Sequence, residues 1–205
     1  MERLRGFAAL AALAIATVLV SGATTPLREE TSTQRCPASQ YQETNLAELK
    51  TLFDADQADR ANPSAIDWAV VGKRDRERFD RTKQLVAGGR LHTAEDFYRA
   101  AFIFQHGHEP DSYLMAHSLA MIAMACGKQQ ASWLAAATLD RYLINTGQPQ
   151  IYGTQYMSSK NGKLTQEPFN SAIISDSMRE QLGVPTLAKQ QERRRRIEAE
   201  TKQGS

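Results

Sequence analysis

"TAEDFYRAAFIFQHGHEPDSYLMAHSLAMIAMACGKQQASWLAAATLDRYLINTG", Thr93 to Gly147, decides the fold. Thr93 with Asp96 three positions on has the form of a capping box, and "AEDFYRAAFIFQH" continues it with helical apolar spacing. "GHEPD" is a turn. Asp111 opens "SYLMAHSLAMIAMAC", which stops at Gly127, and "QASWLAAATLDRYLINT" starts near Gln130 and stops at Gly147. Helix starts therefore recur every eighteen or nineteen residues with short Gly- or Pro-containing breaks, the rhythm of antiparallel helices packed side by side. No stretch with strand alternation competes. The expectation is an all-α antiparallel helical bundle or helical-hairpin array.

Upstream, "TNLAELKTLF" offers Asn45 and Glu48 as a helix start, with Leu46, Leu49, Leu52 and Phe53 as its stripe and an end near Arg60. Asn62, Pro63 and Ser64 break the chain, and a second helix is expected over 65–86, closed by Gly88 and Gly89. Its middle, "GKRDRERFDRTK", is so charged that most of its circumference should face water. Downstream, "QPQIYGTQYMSSKNGKLTQEPF" is an irregular Gln- and Gly-rich segment in which "KNGK" suggests a two-residue hairpin turn. A last helix is expected over 175–183. The domain so defined covers 43–190, a length that supports a core of its own. Residues 191–205 read as a polar charged tail, because Glu192, Glu198 and Glu200 stand three or four positions from members of the Arg193 to Arg196 run.

The amino terminus sets the compartment. Arg3 and Arg5 precede an uncharged run of fifteen residues, Gly6 to Val20, followed by Ser21 and Ala23. A membrane-spanning helix needs about 20 apolar residues, so 1–23 read as a cleavable secretory signal, with an uncleaved anchor as the alternative. Residues 24–42, rich in Thr, Ser, Gln and Glu, should be a disordered lead-in. In an oxidising compartment Cys36 and Cys126 are a possible disulfide; the alternative is a buried thiol at Cys126 within "LAMIAMACG". The chain has 25 Lys and Arg against 23 Asp and Glu. A balance so close to neutral gives no electrostatic footprint for nucleic acid. Periplasmic or extracellular localisation without stable membrane insertion follows once the signal is cleaved.

"DQADR" (56–60), "AAFIFQHG" (100–107), "WLAAATLDRYL" running into "GQPQIYGTQY", and "MREQLGVPTL" resemble a bacterial helical family classed as a domain of unknown function. The resemblance spans about 54–187, and "DRYL" with "GQPQIYGTQ" is its most specific block. It implies domain limits. It implies no activity, ligand or cofactor.

Chemistry concentrates in "FQHGHEPDSYLMAH", Phe104 to His117, with three of the four histidines around Glu109 and Asp111. His106 follows Phe102 and Ile103 on an apolar stripe, and His117 follows Leu114 and precedes Met121 on another. His117 stands about 9 Å into its helix at 1.5 Å rise per residue, closer to Arg99 or Phe102 than to His106 in an antiparallel hairpin. A metal shared by His106, His108 and His117 would need the turn to fold back over the bundle. Without H-E-x-x-H, an H-x-H pair needs a third ligand such as Glu109, Asp111 or His117, and metal and cofactor stay unassigned. Asp140 falls on the apolar side of its helix with Trp133, Ala136, Ala137, Leu143 and Ile144, so it should be buried against Arg141, Arg99 or His106.

Two functions follow. One is an exported helical binding module for a polar small molecule, peptide or protein, whose ligand-binding candidates are Gln105, Arg141, Gln150, Tyr152, Thr154 and Gln155. The other is a hydrolytic enzyme, with or without a metal, in which His106 and either Asp140 or Asp111 form an acid–base pair. Neither GxxxxGK nor GxGxxG occurs, and no serine has a nucleophile-elbow context.

Overall fold

The structure, a computed structural model, describes residues 44–159 and 162–203. Its elements are α1 (Thr44–Ala58), α2 (Trp68–Ala87), α3 (Ala94–Phe104), α4 (Pro110–Ala125), α5 (Ala131–Asn145), a two-stranded hairpin β1 (Met157–Ser158) and β2 (Leu164–Thr165), α6 (Asp176–Gln181) and α7 (Leu187–Gln203). The fold is all-α apart from that hairpin. The expected signal, the lead-in and Cys36 lie outside the described residues. Cys126, the C-cap of α4, is disulfide-bonded, which removes the buried-thiol alternative.

Capping chemistry sets the helix starts. Thr93 and Asp96 form the expected capping box at α3. Asp67 accepts from the amides of Ala69 and Val70, so α2 begins three residues later than the sequence suggests, after a short 3-10 turn at Pro63–Ala65. Pro110 occupies the first turn of α4 with Glu109 as N-cap, one position before the expected Asp111. The expected KNGK turn falls partly outside the described residues, but the strands on either side of it do pair. Met157 pairs with Thr165 and Ser158 with Leu164, and Ser159 donates its amide to the Lys163 carbonyl at 2.8 Å. Residues 160 and 161 lie outside the described residues, and Gly162 takes φ +72°, a left-handed conformation that suits glycine.

Helix α4 packs between α3 and α5, while α3 also packs on α1 and α2. Small residues permit the close approach: Ala100, Ala101, Ala116, Ala120, Ala123, Ala131 and Ala135 are all buried. Leu49, Ile103, Phe104, Leu119 and Leu134 fill the remaining space. Phe53 meets Phe102 edge-on at 5.5 Å between ring centres, and Phe79 meets Phe104 at 4.8 Å. Among the described residues no helix is long and apolar enough to cross a membrane.

Most of the circumference of α2 faces water as expected, but one face does not. Its inward stripe is Val71, Asp75, Arg78, Thr82 and Leu85, so two charges of the supposedly solvated middle are buried. Across residue 191, where the polar tail was expected to begin, α7 continues as one helix, with Gln190 buried and its arginine run largely exposed.

Candidate functional site

The candidate residues fall into two polar clusters at different places in the fold. The first is built on Asp140, fully buried on α5. Its carboxylate accepts four hydrogen bonds from the loop that follows: Ile151 and Tyr152 amides at Oδ1 (2.8 and 3.0 Å), and the Thr154 amide and hydroxyl at Oδ2 (2.9 and 2.8 Å). The expected partners Arg141, Arg99 and His106 are therefore not what neutralises the cost of burying it. Backbone amides reach the carboxylate first because the loop turns back over the end of its own helix.

The glutamines of this loop are spent in the same way. Gln150, fully buried, donates to the carbonyls of Gln155 and Gln166 and accepts the Gln155 amide at 3.0 Å. Gln155 donates to the Ala137 carbonyl and to the Thr154 hydroxyl. From α7, Gln190 reaches the carbonyls of Tyr152 and Pro185, and it accepts from Gln166 at 2.8 Å. Arg179, 1 % exposed, adds donors to the carbonyls of Tyr152, Ile151 and Ser171 and pairs with Asp176. Gly153 takes φ +81°, and a Cβ there would stand 2.2 Å from Gln190 Oε1, so the cradle closes only around glycine. The Tyr152 hydroxyl is held above its usual range by burial and then by the nearby Asp140 charge. Gln150, Thr154 and Gln155 thus use their side chains inside the fold, where they fix the shape of the loop.

The second cluster joins α1, α2 and the end of α3. Asp56 is fully buried. Arg60 bridges Asp56 at 3.0 Å and Asp75 at 2.6 Å; Arg78 bridges Asp75 at 2.6 Å and Asp59 at 2.8 Å; Arg74 reaches Asp59 at 2.7 Å. Burial works to raise the Asp75 pKa, but hydrogen bonds from Arg60 and Arg78 prevail and hold it below the usual carboxylate value; Asp59 is lowered likewise, by Arg78 and Arg74 against its desolvation. His106 comes to this network and not to Asp140 or Asp111. Its Nε2 lies 3.5 Å from Asp56 Oδ2, buried and without a hydrogen-bond partner. His117 turns instead to α5, where Nδ1 meets the Ala135 carbonyl at 2.9 Å, away from the expected Arg99 and Phe102 side.

Above this network a pocket of about 220 Å³ is lined by Asp75, Phe79, Asp80, His106, His108 and Ser112. A neighbouring pocket of about 480 Å³ is lined by Phe79, Val86, Phe104, Asp111, Ser112 and Met115. Phe79, Ser112 and Glu109 line both, so the two pockets adjoin between α2 and the α3–α4 corner; ionisable side chains line each, and the walls of both are chiefly apolar. Gly107 shapes its floor: a Cβ at that position would stand 2.4 Å from Ser112 Cβ. Asp111 is exposed at the larger pocket. Among the described residues no group of three or more His, Cys, Asp or Glu side chains is arranged to hold a metal ion.

The sequence reading missed Asp56, Asp75, Arg78 and Phe79. The signal for Asp75 and Arg78 lay in the phase of α2, where Val71 and Leu85 define an inward stripe on which Asp75, Arg78 and Thr82 also fall. Gln105 is buried, and its carbonyl accepts from Arg141 at 3.2 Å. No family model, curated protein or solved structure matches the chain.

Proposed function

We propose that this chain is an exported binding module whose ligand is a small amphiphilic molecule seated in the cleft between α2 and the α3–α4 corner. One observation carries the reading. The pocket over His106 and the pocket over Met115 share Phe79, Glu109 and Ser112, and both set ionisable side chains against chiefly apolar walls, so a ligand with a polar group and a ring or short chain can use both kinds of contact. The Gln-rich loop, whose Gln150, Thr154 and Gln155 side chains are occupied internally, acts as scaffold in this reading. Export is supported by the amino-terminal pattern and by the disulfide at Cys126.

Phenethyl alcohol, neutral and with one ring and one hydroxyl, is a suitable probe. With methyl-labelled methionine, saturable movement of the Met115 signal is expected, and the more distant Met178 signal should stay fixed. Met115→Glu places a charge against the apolar walls at a position already 40 % exposed, so it should fold normally and lose the response. A Met115 signal that never moves, or wild-type binding in the variant, would refute the site.

The hydrolytic alternative draws support from a different pairing than the sequence suggested. Asp56, buried behind His106, orients and polarises the ring, which would leave Nδ1 as the basic nitrogen with Nε2–H turned toward the carboxylate. The two readings separate on ligand fate. A bound molecule recovered with unchanged mass after long incubation supports the module, and a hydrolysed one that persists intact with His106→Gln supports the enzyme.

A further inference from the structure

Where the arginine run of α7 passes the segment that leaves β2, a third cavity opens, and it shares no residue with the two pockets beside His106. Its volume is about 190 Å³. Leu187, Gln190, Gln191 and Arg194 line it from positions i, i+3, i+4 and i+7, which is one face of a helix, and Gln166, Glu167 and Phe169 line it from the chain beyond the hairpin. Pockets for drug-sized molecules begin at roughly 300 Å³, so this one suits something smaller.

The lining is fixed by bonds that leave particular atoms over. Gln166, 6 % exposed, donates through Nε2 to the Gly153 carbonyl and to Gln190 Oε1. A backbone carbonyl can only accept, which settles the orientation of the amide and makes Oε1 its remaining end. That Oε1 takes no hydrogen bond among the described residues, yet it is not one of the sealed polar atoms without a partner, so it is accessible. Glu167 is held by its own turn: its Oε2 accepts the Phe169 amide at 2.8 Å and its amide donates to Thr165 Oγ1 at 3.0 Å, while Oε1 is left over. Arg194, half-buried, makes no hydrogen bond or ion pair among the described residues, and it does not pair with Glu167 although both line the cavity. Arg179, the cation behind Phe169, is committed to carbonyls and Asp176. The cavity therefore holds a cation and an anion that do not satisfy each other, with an open amide oxygen on the residue next to the anion.

We propose that this cavity binds a free α-amino acid as its zwitterion, the carboxylate on the Arg194 guanidinium and the ammonium donating to Glu167 Oε1 and Gln166 Oε1. A planar carboxylate matches two parallel N–H bonds of a guanidinium, and an ammonium brings three donors for the two oxygens. Because the ligand carries both charges, each protein charge gains a partner and no net charge is added to the site. Phe169 and Leu187 supply apolar contact for a short side chain. The site shares no residue with the cleft proposed above and does not depend on it.

The test is an amide NMR titration of the disulfide-intact protein with L-alanine, against sodium acetate, methylammonium chloride and glycine betaine at matched ionic strength and pH 7. Saturable shifts with L-alanine are expected at Gln166, Phe169, Gln190 and Arg194. Acetate and methylammonium carry one charge each, and betaine carries both but has no N–H to donate, so each should bind at least about tenfold more weakly. Glu167→Gln keeps an acceptor for the Phe169 amide, and Arg194→Gln alters a partly exposed helix position, so both variants should fold as wild type does. Each should bind L-alanine at least about tenfold more weakly, and Arg194→Lys, which keeps the charge without the fork, should lose less than Arg194→Gln. No saturable shift at these amides with L-alanine, equal binding of acetate, methylammonium or betaine, or wild-type affinity in Glu167→Gln or Arg194→Gln would overturn the site.

Discussion

The loop held by Asp140 and the cleft beside His106 are both rich in polar side chains, and they use them in opposite ways. Around Asp140, four donors meet one carboxylate, and the glutamines of the loop bond to one another and to backbone carbonyls. Around His106, the carboxylates Asp56, Asp59 and Asp75 are balanced by Arg60, Arg74 and Arg78, yet the imidazole is left without a hydrogen bond at Nε2 and lines a pocket. The lesson is about accounting: a polar cluster is a recognition surface only in so far as its groups are not already satisfied. By that measure Gln150, Thr154 and Gln155 are already satisfied inside the fold, and in the proposed reading the α3–α4 corner is where a ligand has something to gain.

The contrast predicts a graded response to mutation. Asp140→Ala should be the most damaging change, since it strips three part-buried amides and a hydroxyl of their acceptor at once. A loss of about 3 kcal/mol or more in urea unfolding is expected, and a loss under 1 kcal/mol would mean that the loop does not depend on it. Gly153→Ala comes next, at about 2 kcal/mol or more, because the new methyl meets Gln190 and the backbone is left-handed there. Asp75→Asn should cost about 2 kcal/mol, as Arg60 keeps Asp56 and Arg78 keeps Asp59 with Asp56 farther off.

Acid titration sharpens the same comparison. The folded pKa of Asp75 and of Asp59 is depressed, so the stability they contribute is complete above the unfolded carboxylate value of about 4 and is lost as pH falls through the folded values. Melting temperature should change little on this account from pH 7 to about 5 and drop below about 4. In Asp75→Asn the drop should be shallower. An equally steep drop in the variant would assign acid sensitivity elsewhere.

His106→Gln should have the smallest effect on stability, within about 1 kcal/mol, because the lost ring makes only a long contact to Asp56. Its effect should appear in ligand binding or turnover instead. Metal content is also expected to be unaffected: protein purified without chelator should carry well under one zinc, iron or manganese per chain, and His106→Ala should leave that figure unchanged. A near-stoichiometric metal that disappears in the variant would place ligands around His106 that the described residues do not bring together.

The architecture was legible because its signals are local. The Thr93–Asp96 box, the glycine stops at Gly127 and Gly147 and the alanine faces of α3, α4 and α5 act within a few residues of where they stand. What escaped was long-range pairing. Arg60 stands only four positions from Asp56, but nothing near Asp56 announces Arg78 reaching it from α2 or Asp75 sharing Arg60, and the charges of α2 read as solvated until their phase against Val71 and Leu85 is noticed. Asp140 was legible as buried but not as to its partner, because amides supplied by a returning loop leave no side-chain signature in sequence.

The most direct test of the division between spent loop and open cleft is an amide NMR map of the disulfide-intact protein during titration with phenethyl alcohol. The expected result is saturable shifts at Phe79, Phe104, Gly107, Ser112 and Met115, with the amides of Ile151, Tyr152 and Thr154 unmoved. Shifts gathered on the 150–155 loop with the cleft silent would contradict the account and return recognition to the loop.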